Sequence, residues 1–262
     1  MPALRFIQVD AFADRPFSGN PAAVMPLDAW LPDEMLQAIA EENNLSETAF
    51  TVPDGSGAAD YELRWFTPTT EVALCGHATL ASGHVLIEAA RIRFRTRKAG
   101  VLVVERDGDG LALDLPVTLV RESAQPELLE ALGLTGAQAF LSYQGAEATA
   151  IILVEDEAAV RGCAPDMGEL RGIELMAIVT ARGRETDVVS RVFVPAWGVD
   201  EDPVTGSAHG ALAPFWSERL GRDRFTAFQA SRRGGRIDCR HAGDRAILGG
   251  RCVTVIEGRL LL

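Results

Sequence analysis

Four short blocks of the sequence carry the side chains able to move a proton or hold an anion. Glu47 stands in Asn43-Asn44-Leu45-Ser46-Glu47-Thr48-Ala49-Phe50, just past a helical pattern and at the head of a strand pattern. A carboxyl partly withdrawn from water at such a place can accept and return a proton near neutrality. The plainer alternative is a solvated acid on a strand edge. Cys75-Gly76-His77-Ala78 and Thr205-Gly206-Ser207-Ala208 each set a glycine and small residues where a helix begins. Backbone N–H groups left open at the positive end of a helix dipole form an anion site, although capping and close packing alone favour the same residue types. His77 falls in the first turn of its helix, where the dipole favours a neutral imidazole that donates or accepts a hydrogen bond. Asp202 precedes Pro203 at the approach to the second helix, where an acidic cap is the default reading.

Several sharper chemistries are absent from these blocks. Ser207 and His209 are two apart on a helix and point to different sides, so they do not pair as nucleophile and base. The Gly-x-Ser-x-Gly elbow is missing, because Gly206 directly precedes Ser207. His77 and His84 lie seven apart on one helical face, but no HExxH or cysteine cluster joins them, and no metal is expected. Neither a Walker A loop nor GxGxxG occurs, so no cofactor is expected either.

The elements that must position these groups follow from periodicity. Short apolar runs at Leu4 to Val9, Ala22 to Leu27, Thr48 to Val52, Tyr61 to Phe66, Arg91 to Thr96 and Val101 to Arg106 read as strands. Apolar residues at helical spacing predict helices over Asp33 to Asn43 and Gly76 to Ala90. After Asp114-Leu115-Pro116 the same grammar repeats, with strands at Ala139 to Tyr143, Thr149 to Val154, Leu175 to Thr180 and Asp187 to Val194. A helix over Gly206 to Leu220 comes next, then strands at Phe225 to Ala230, Arg236 to Arg240 and Cys252 to Glu257. The whole is a sheet-rich α/β chain whose halves divide between residues 115 and 125.

An internal repeat supports that division. Arg64-Trp65-Phe66-Thr67-Pro68 recurs as Arg191-Val192-Phe193-Val194-Pro195 at an offset of 127, and Cys75-Gly76-His77-Ala78 aligns with Thr205-Gly206-Ser207-Ala208 at an offset of 130. Each match is weak alone. In the same order and setting, with a three-residue insertion between them, they favour two homologous halves. If the halves pack face to face, the two helix starts converge on a cleft that suits a small carboxylate.

Composition narrows the partners. The chain has 262 residues with 25 basic and 37 acidic side chains, a net charge of −12, which argues against a broad nucleic-acid or anionic-lipid surface. Cys75, Cys163, Cys239 and Cys252 show no disulfide spacing. No run reaches the length of a membrane span, and residues 1–10 lack a secretory pattern, so a cytoplasmic protein with reduced thiols is expected.

Taken together, Phe17-Ser18-Gly19-Asn20-Pro21-Ala22-Ala23-Val24, Leu45-Ser46-Glu47-Thr48-Ala49-Phe50, Phe66-Thr67-Pro68 with Glu71-Val72-Ala73-Leu74-Cys75-Gly76-His77-Ala78-Thr79, and Asp202-Pro203-Val204-Thr205-Gly206-Ser207-Ala208 resemble the signature of the PhzF-like phenazine-biosynthesis isomerases. The resemblance runs from the first strand to the C-terminal strand. It implies a diaminopimelate-epimerase-like fold: two pseudo-symmetric α/β lobes, each a curved sheet rolled around a central helix, with the active site in the interlobe cleft. The lobes would be residues 1–118 and 119–250, with a C-terminal strand at 251–262 packing back on the first.

In the characterised phenazine enzyme a glutamate moves a proton within a dihydro-hydroxyanthranilate, and the matching residue is Glu47. His77 and Asp202 match supporting catalytic residues. Ser207 matches a supporting residue as well, and Asn20 lies in the family's Gly-Asn-Pro motif; Asn20, Ser207 and the helix-start N–H groups of Gly76 and Gly206 are expected to bind substrate. Related epimerases use two cysteines, one at each helix start; here Cys75 aligns with the first and Thr205 occupies the second. A thiol at a helix N-terminus can have a depressed pKa and be reactive, although a packed small residue is the commoner outcome there. The expected activity is a cofactor-free isomerase acting on a small anionic carboxylate, in a chain that forms a homodimer. The alternatives are an epimerase or racemase using Cys75, or a non-catalytic ligand-binding or protein-interaction module built on the same fold.

Overall fold

The computed structural model describes residues 3–143 and 148–262. The chain divides into two compact units, residues 1–115 with 249–262, and residues 116–248.

The first unit runs β1 (Ala3–Ala11), β2 (Asn20–Pro26), α1 (Asp33–Asn43), β3 (Glu47–Pro53), β4 (Tyr61–Phe66), β5 (Glu71–Val72), α2 (Gly76–Leu86), β6 (Arg91–Thr96), β7 (Val101–Asp107) and β8 (Gly110–Pro116). The last strand of the chain, Cys252–Leu261, returns to pair antiparallel with β1. From it the sheet continues through β1 to β2 antiparallel, β2 to β3 parallel, β3 to β4 antiparallel, β4 to β6 parallel, then β7 and β8 antiparallel. Helix α2 packs against β1, β2, β3, β7 and the C-terminal strand, so the sheet wraps around it. The sequence allows this because α2 is built from small residues, and Gly76 to Gly83 are all buried. A Cβ on Gly83 would stand 2.6 Å from Val104 Cγ1, which shows how closely β7 approaches the helix.

Helix α1 has the expected bounds. Asp33 and Glu34 in its first turn complement the dipole, Asn44 ends it in the left-handed conformation, and it buries Leu36, Ile39 and Ala40 against Met25, Phe50 and Phe66. Helix α2 is shorter than its periodicity predicts, ending at Leu86 instead of Ala90. Ile87 turns extended, and Arg106 on β7 takes over the freed carbonyls. Its Nη2 donates to Ile87 O at 2.9 Å and its Nε to Ala89 O at 3.1 Å. Tertiary hydrogen bonds there outcompete the next helical turn.

The second unit runs β9 (Val120–Glu122), α3 (Pro126–Ala131), β10 (Gln138–Ser142), β11 (Thr149–Leu153), α4 (Glu157–Gly162), α5 (Met167–Leu170), β12 (Met176–Arg182), β13 (Val188–Val194), β14 (Val199–Asp202), α6 (Gly206–Leu220), β15 (Arg224–Gln229), β16 (Gly235–Ala242) and β17 (Arg245–Gly250). Its pairings repeat those of the first: β10 to β11 antiparallel, β11 to β12 parallel, β12 to β13 antiparallel, β13 to β15 parallel, β15 to β16 antiparallel. Helix α6 is the counterpart of α2, packs on β11 and β16, and has the bounds its pattern predicts. Pro214 inside it cannot donate to Gly210 O; Thr118 N–H donates there instead, at 3.2 Å. A core of Ala150, Ile152, Ala177, Val179, Val189 and Phe193 lies beneath α4 and α5.

The repeat is physical as well as textual. Arg64 forms a two-pronged bridge to Glu71, with Nε to Oε1 and Nη2 to Oε2 both at 2.8 Å, and Arg191 bridges Glu201 at 2.7 and 3.0 Å. Each guanidinium also lies 4.9 Å from its own phenylalanine ring, Phe66 or Phe193. The acid follows the arginine by seven residues in one unit and ten in the other. The difference of three is the insertion, which the structure places in the short turn Pro195–Trp197 closed by Gly198 at φ 89°.

Candidate active site

The first unit brings Asn20, Glu47, Cys75, Gly76 and His77 together at the start of α2. Glu47 opens β3, three residues after α1 stops at Asn44, and pairs in register with Ala22 of the parallel neighbour β2. Asn20 is two residues before Ala22, so it shares a sheet face with Glu47. Gly19 makes that placement possible: its φ is +65°, and a Cβ there would lie 2.1 Å from Ala11 O. The loop before it is tied down by Phe17 N–H, which donates to the buried Asp10 carboxylate at 2.7 Å.

Across this face stands His77. Its Nε2 is 3.0 Å from Glu47 Oε2, with side-chain exposures of 4% and 18%. The two atoms are close without being aligned as a hydrogen bond, so the pair is held by charge and proximity. On the other side of the ring, Nδ1 lies 3.1 Å from Asn20 Nδ2 and 3.5 Å from Cys75 Sγ. With Asn20 donating to Nδ1, the ring proton sits on Nε2, facing Glu47; turning the amide over lets Asn20 accept from an imidazolium. Asn20 can therefore serve His77 in either charge state.

The electrostatics correct one expectation and decide between two others. Burial opposes a charged His77, yet the anionic groups beside it, Cys75 when ionised and Glu47, raise its pKa well above the ordinary value. At neutral pH the one in force is Glu47, because burial, with the Glu47 charge adding to it, pushes the Cys75 thiol up to about 11. The neutral imidazole expected from the helix dipole gives way because a carboxylate at 3.0 Å outweighs a terminal dipole worth under about 1 kcal/mol. At Cys75 the reactive alternative gives way to the packed thiol that is the commoner outcome at such a place, because desolvation wins at a fully enclosed helix start.

One donor atom from each of Glu47, Cys75 and His77 lies within 4.8 Å of the others. Cys75, however, approaches Nδ1 and Glu47 approaches Nε2, opposite nitrogens of one ring. A zinc ion about 2 Å from its ligands would have to choose between them. The arrangement suits a proton passing along an imidazole better than an ion shared by three ligands.

The second unit builds its own helix start differently. Thr205 opens α6, its hydroxyl donates to Asp202 Oδ2, and its N–H donates to Gln229 Oε1 at 2.9 Å. Gly206 is buried and Ser207 half-buried at the first turn. His209 is fully buried, with Nδ1 2.8 Å from Thr205 O. Thr79 donates to Cys75 O at 2.6 Å in the same place on α2, so His209 is a helix-start brace and not a partner of Ser207.

Matched strand registers show which groups belong to one unit only. Thr48 pairs with Phe66 as Ala177 pairs with Phe193, which sets Glu47 against the buried Met176. Trp65 pairs with Val72 as Val192 pairs with Asp202. The cap and first two residues of α2 are Cys75-Gly76-His77, and those of α6 are Thr205-Gly206-Ser207. A symmetric two-base site is thus absent from the described residues: the first unit carries a carboxyl and a histidine, and the second an aspartate, a threonine and a serine. Gln229 gave no signal in the sequence. It is a lone amide 24 residues from Thr205, and only the sheet brings them together.

Two duplicated α/β units, each with a sheet wound about a helix whose start is polar, define the epimerase-like fold class. The chain belongs to the phenazine biosynthesis-like protein family, which it matches over residues 9–258. It is 51% identical to an uncharacterized isomerase of Pseudomonas aeruginosa, with 99% of each chain covered. Among solved structures it is similar to a phenazine biosynthesis protein of the PhzF family from Enterococcus faecalis, at 40% identity, full coverage of both chains and a TM-score of 0.91. A hydroxyproline epimerase from Agrobacterium vitis shares the fold, with a TM-score of 0.57 at 15% identity over 98% of this chain and 92% of that one. No helix among the described residues is long and apolar enough to cross a membrane.

Proposed function

We propose that this chain is a cofactor-independent isomerase that shifts a proton between carbon atoms of a small carboxylate. Glu47 is the group that takes and returns the proton, and His77, hydrogen-bonded by Asn20, holds the Glu47 charge. The observation that carries the reading is the 3.0 Å approach of Glu47 Oε2 to His77 Nε2 beside the open N–H groups of Gly76 and His77. A carboxyl with a cationic partner cycles between acid and base without leaving its place, and the helix start supports a carboxylate or a developing enolate. Asp202, Gly206 and Ser207 are assigned to substrate contact. The isomerase names of the relatives support the reaction class, and a buried, protonated Cys75 disfavours a thiolate racemase.

The test is incubation of the protein with a metabolite extract in deuterated water, with Glu47→Gln as control. A metabolite that gains carbon-bound deuterium with the native chain and not with the variant identifies substrate and reaction together. Equal labelling by both removes Glu47 from the reaction. Loss of labelling in Asp202→Asn and Ser207→Ala checks the remaining assignments.

A further inference from the structure

Gln229 is wholly buried at the end of β15, and its amide is spent on the approach to α6. Oε1 accepts from Thr205 N–H at 2.9 Å, while Nε2 donates to Asp202 O at 2.8 Å and to Thr205 Oγ1 at 3.1 Å. The partners dictate which way the amide faces. A backbone N–H can only donate and a carbonyl can only accept, so a turned amide would set like against like at both. A consequence follows for the hydroxyl. Receiving a hydrogen bond from Gln229, Thr205 Oγ1 is free to give its own proton to Asp202 Oδ2. Asp202 Oδ2 is thereby addressed as an acceptor, a contact that favours the ionised carboxyl over the protonated one.

We propose that Gln229 is a positioning residue which, through the Thr205 hydroxyl, holds Asp202 as an oriented carboxylate. The arrangement belongs to the second unit alone. The register that pairs Leu63 with Thr96 pairs Ser190 with Gln229, and Thr96 bonds within its own loop, to Gly100 O at 2.9 Å. The glutamine thus stands in the unit where Asp202 replaces Val72. That the orientation of Asp202 matters to catalysis rests on the function proposed above; the bracket itself does not. Asp200 and Glu201 on the same strand are engaged by Arg171 and Arg191, and Arg232 and Arg233 follow Ser231, whose hydroxyl donates to Pro203 O at 2.7 Å. All are common to every variant below.

The experiment follows the Asp202 carboxyl by carbon NMR in the full chain labelled at aspartate, with Asp202→Asn to assign the signal. Gln229→Glu, when ionised, cannot donate to Asp202 O or to Thr205 Oγ1 and adds a like charge, and when protonated it has one O–H donor where the amide had two N–H. Thr205→Val removes the hydroxyl, and Thr205→Ser restores it. The titration midpoint of Asp202 is expected to rise by about one pH unit or more in Gln229→Glu and Thr205→Val, and to return close to the native midpoint in Thr205→Ser. Should Gln229→Glu fail to fold, the valine and serine pair decides. Coincident midpoints in the native, valine and serine proteins would overturn the bracket while leaving Glu47 untouched; equal deuterium labelling by Glu47→Gln would overturn the isomerase and leave the bracket standing.

Discussion

If Glu47 and His77 act as one unit, removing both should cost little more than removing either. At 3.0 Å and an effective dielectric of about 20, a carboxylate and an imidazolium attract by about 5 kcal/mol. Glu47 keeps 18% of its surface in water, which screens part of this and leaves about 3–4 kcal/mol. At 1.36 kcal/mol per decade that sets a ceiling of about 10²- to 10³-fold on the rate effect of the contact, reached when the attraction acts in the transition state, and this lies within the usual span of acid/base catalysis. Glu47→Gln and His77→Asn should therefore each slow deuterium incorporation by up to about that factor, and the double variant should fall within about tenfold of the slower single. Incorporation is read by mass spectrometry at fixed enzyme concentration in deuterated water. Two independent roles would instead multiply to about 10⁴-fold or more, and a double variant with that deficit refutes the reasoning.

Cys75, with its thiol pushed up to about 11, should resist iodoacetamide at pH 7.5 and react faster as pH rises; rapid labelling at neutrality, mapped by peptide mass, would contradict the enclosed thiol. His209 is held by burial at about 4. The unfolded chain therefore binds its proton near 6.5 while the folded chain does not, and stability is lost as pH falls from about 6.5 to 4, by up to about 3 kcal/mol. Replacing it with threonine, the residue at the equivalent position 79, should flatten that part of the denaturation profile. His77 works in the opposite sense, its contribution present below about pH 6.5 and lost as pH rises through its elevated folded value. Gly19→Ala should destabilise the chain by about 2 kcal/mol or more, because the new Cβ meets Ala11 O in a left-handed backbone; a melting temperature within a degree of native would count against it.

The long apolar patterns were readable in advance, since burial of one face imposes a period on the sequence. Helices α1 and α6 have the bounds their residues predict, and the strands from Tyr61 and Arg91 do as well. What escaped depends on contacts distant in sequence. Ile87 to Ala90 continue a helical period but yield to Arg106. Strands Gly110–Pro116, Val199–Asp202 and Arg245–Gly250 are short, or rich in glycine or charge, and exist because a neighbour pairs with them. Glu47, His77 and Asn20 could be singled out by residue type and motif. The charge state of His77 could not, because it is decided by a carboxylate 30 positions away. Gln229 is the clearest omission, an ordinary amide whose meaning comes from a β15 register that the local sequence does not encode.

The strand Cys252–Leu261 belongs to the first unit, yet the ribosome makes it after the whole of the second. During synthesis, residues 116–248 can close around α6 while the edge of β1 still waits for its partner. Glu47 and His77 are translated early, but the sheet that frames them is completed only after the second unit, so the nascent chain holds an unsatisfied strand edge while residues 116–248 are made. Deleting this terminal ribbon should injure the distant proton-handling residues rather than the unit it follows in the gene.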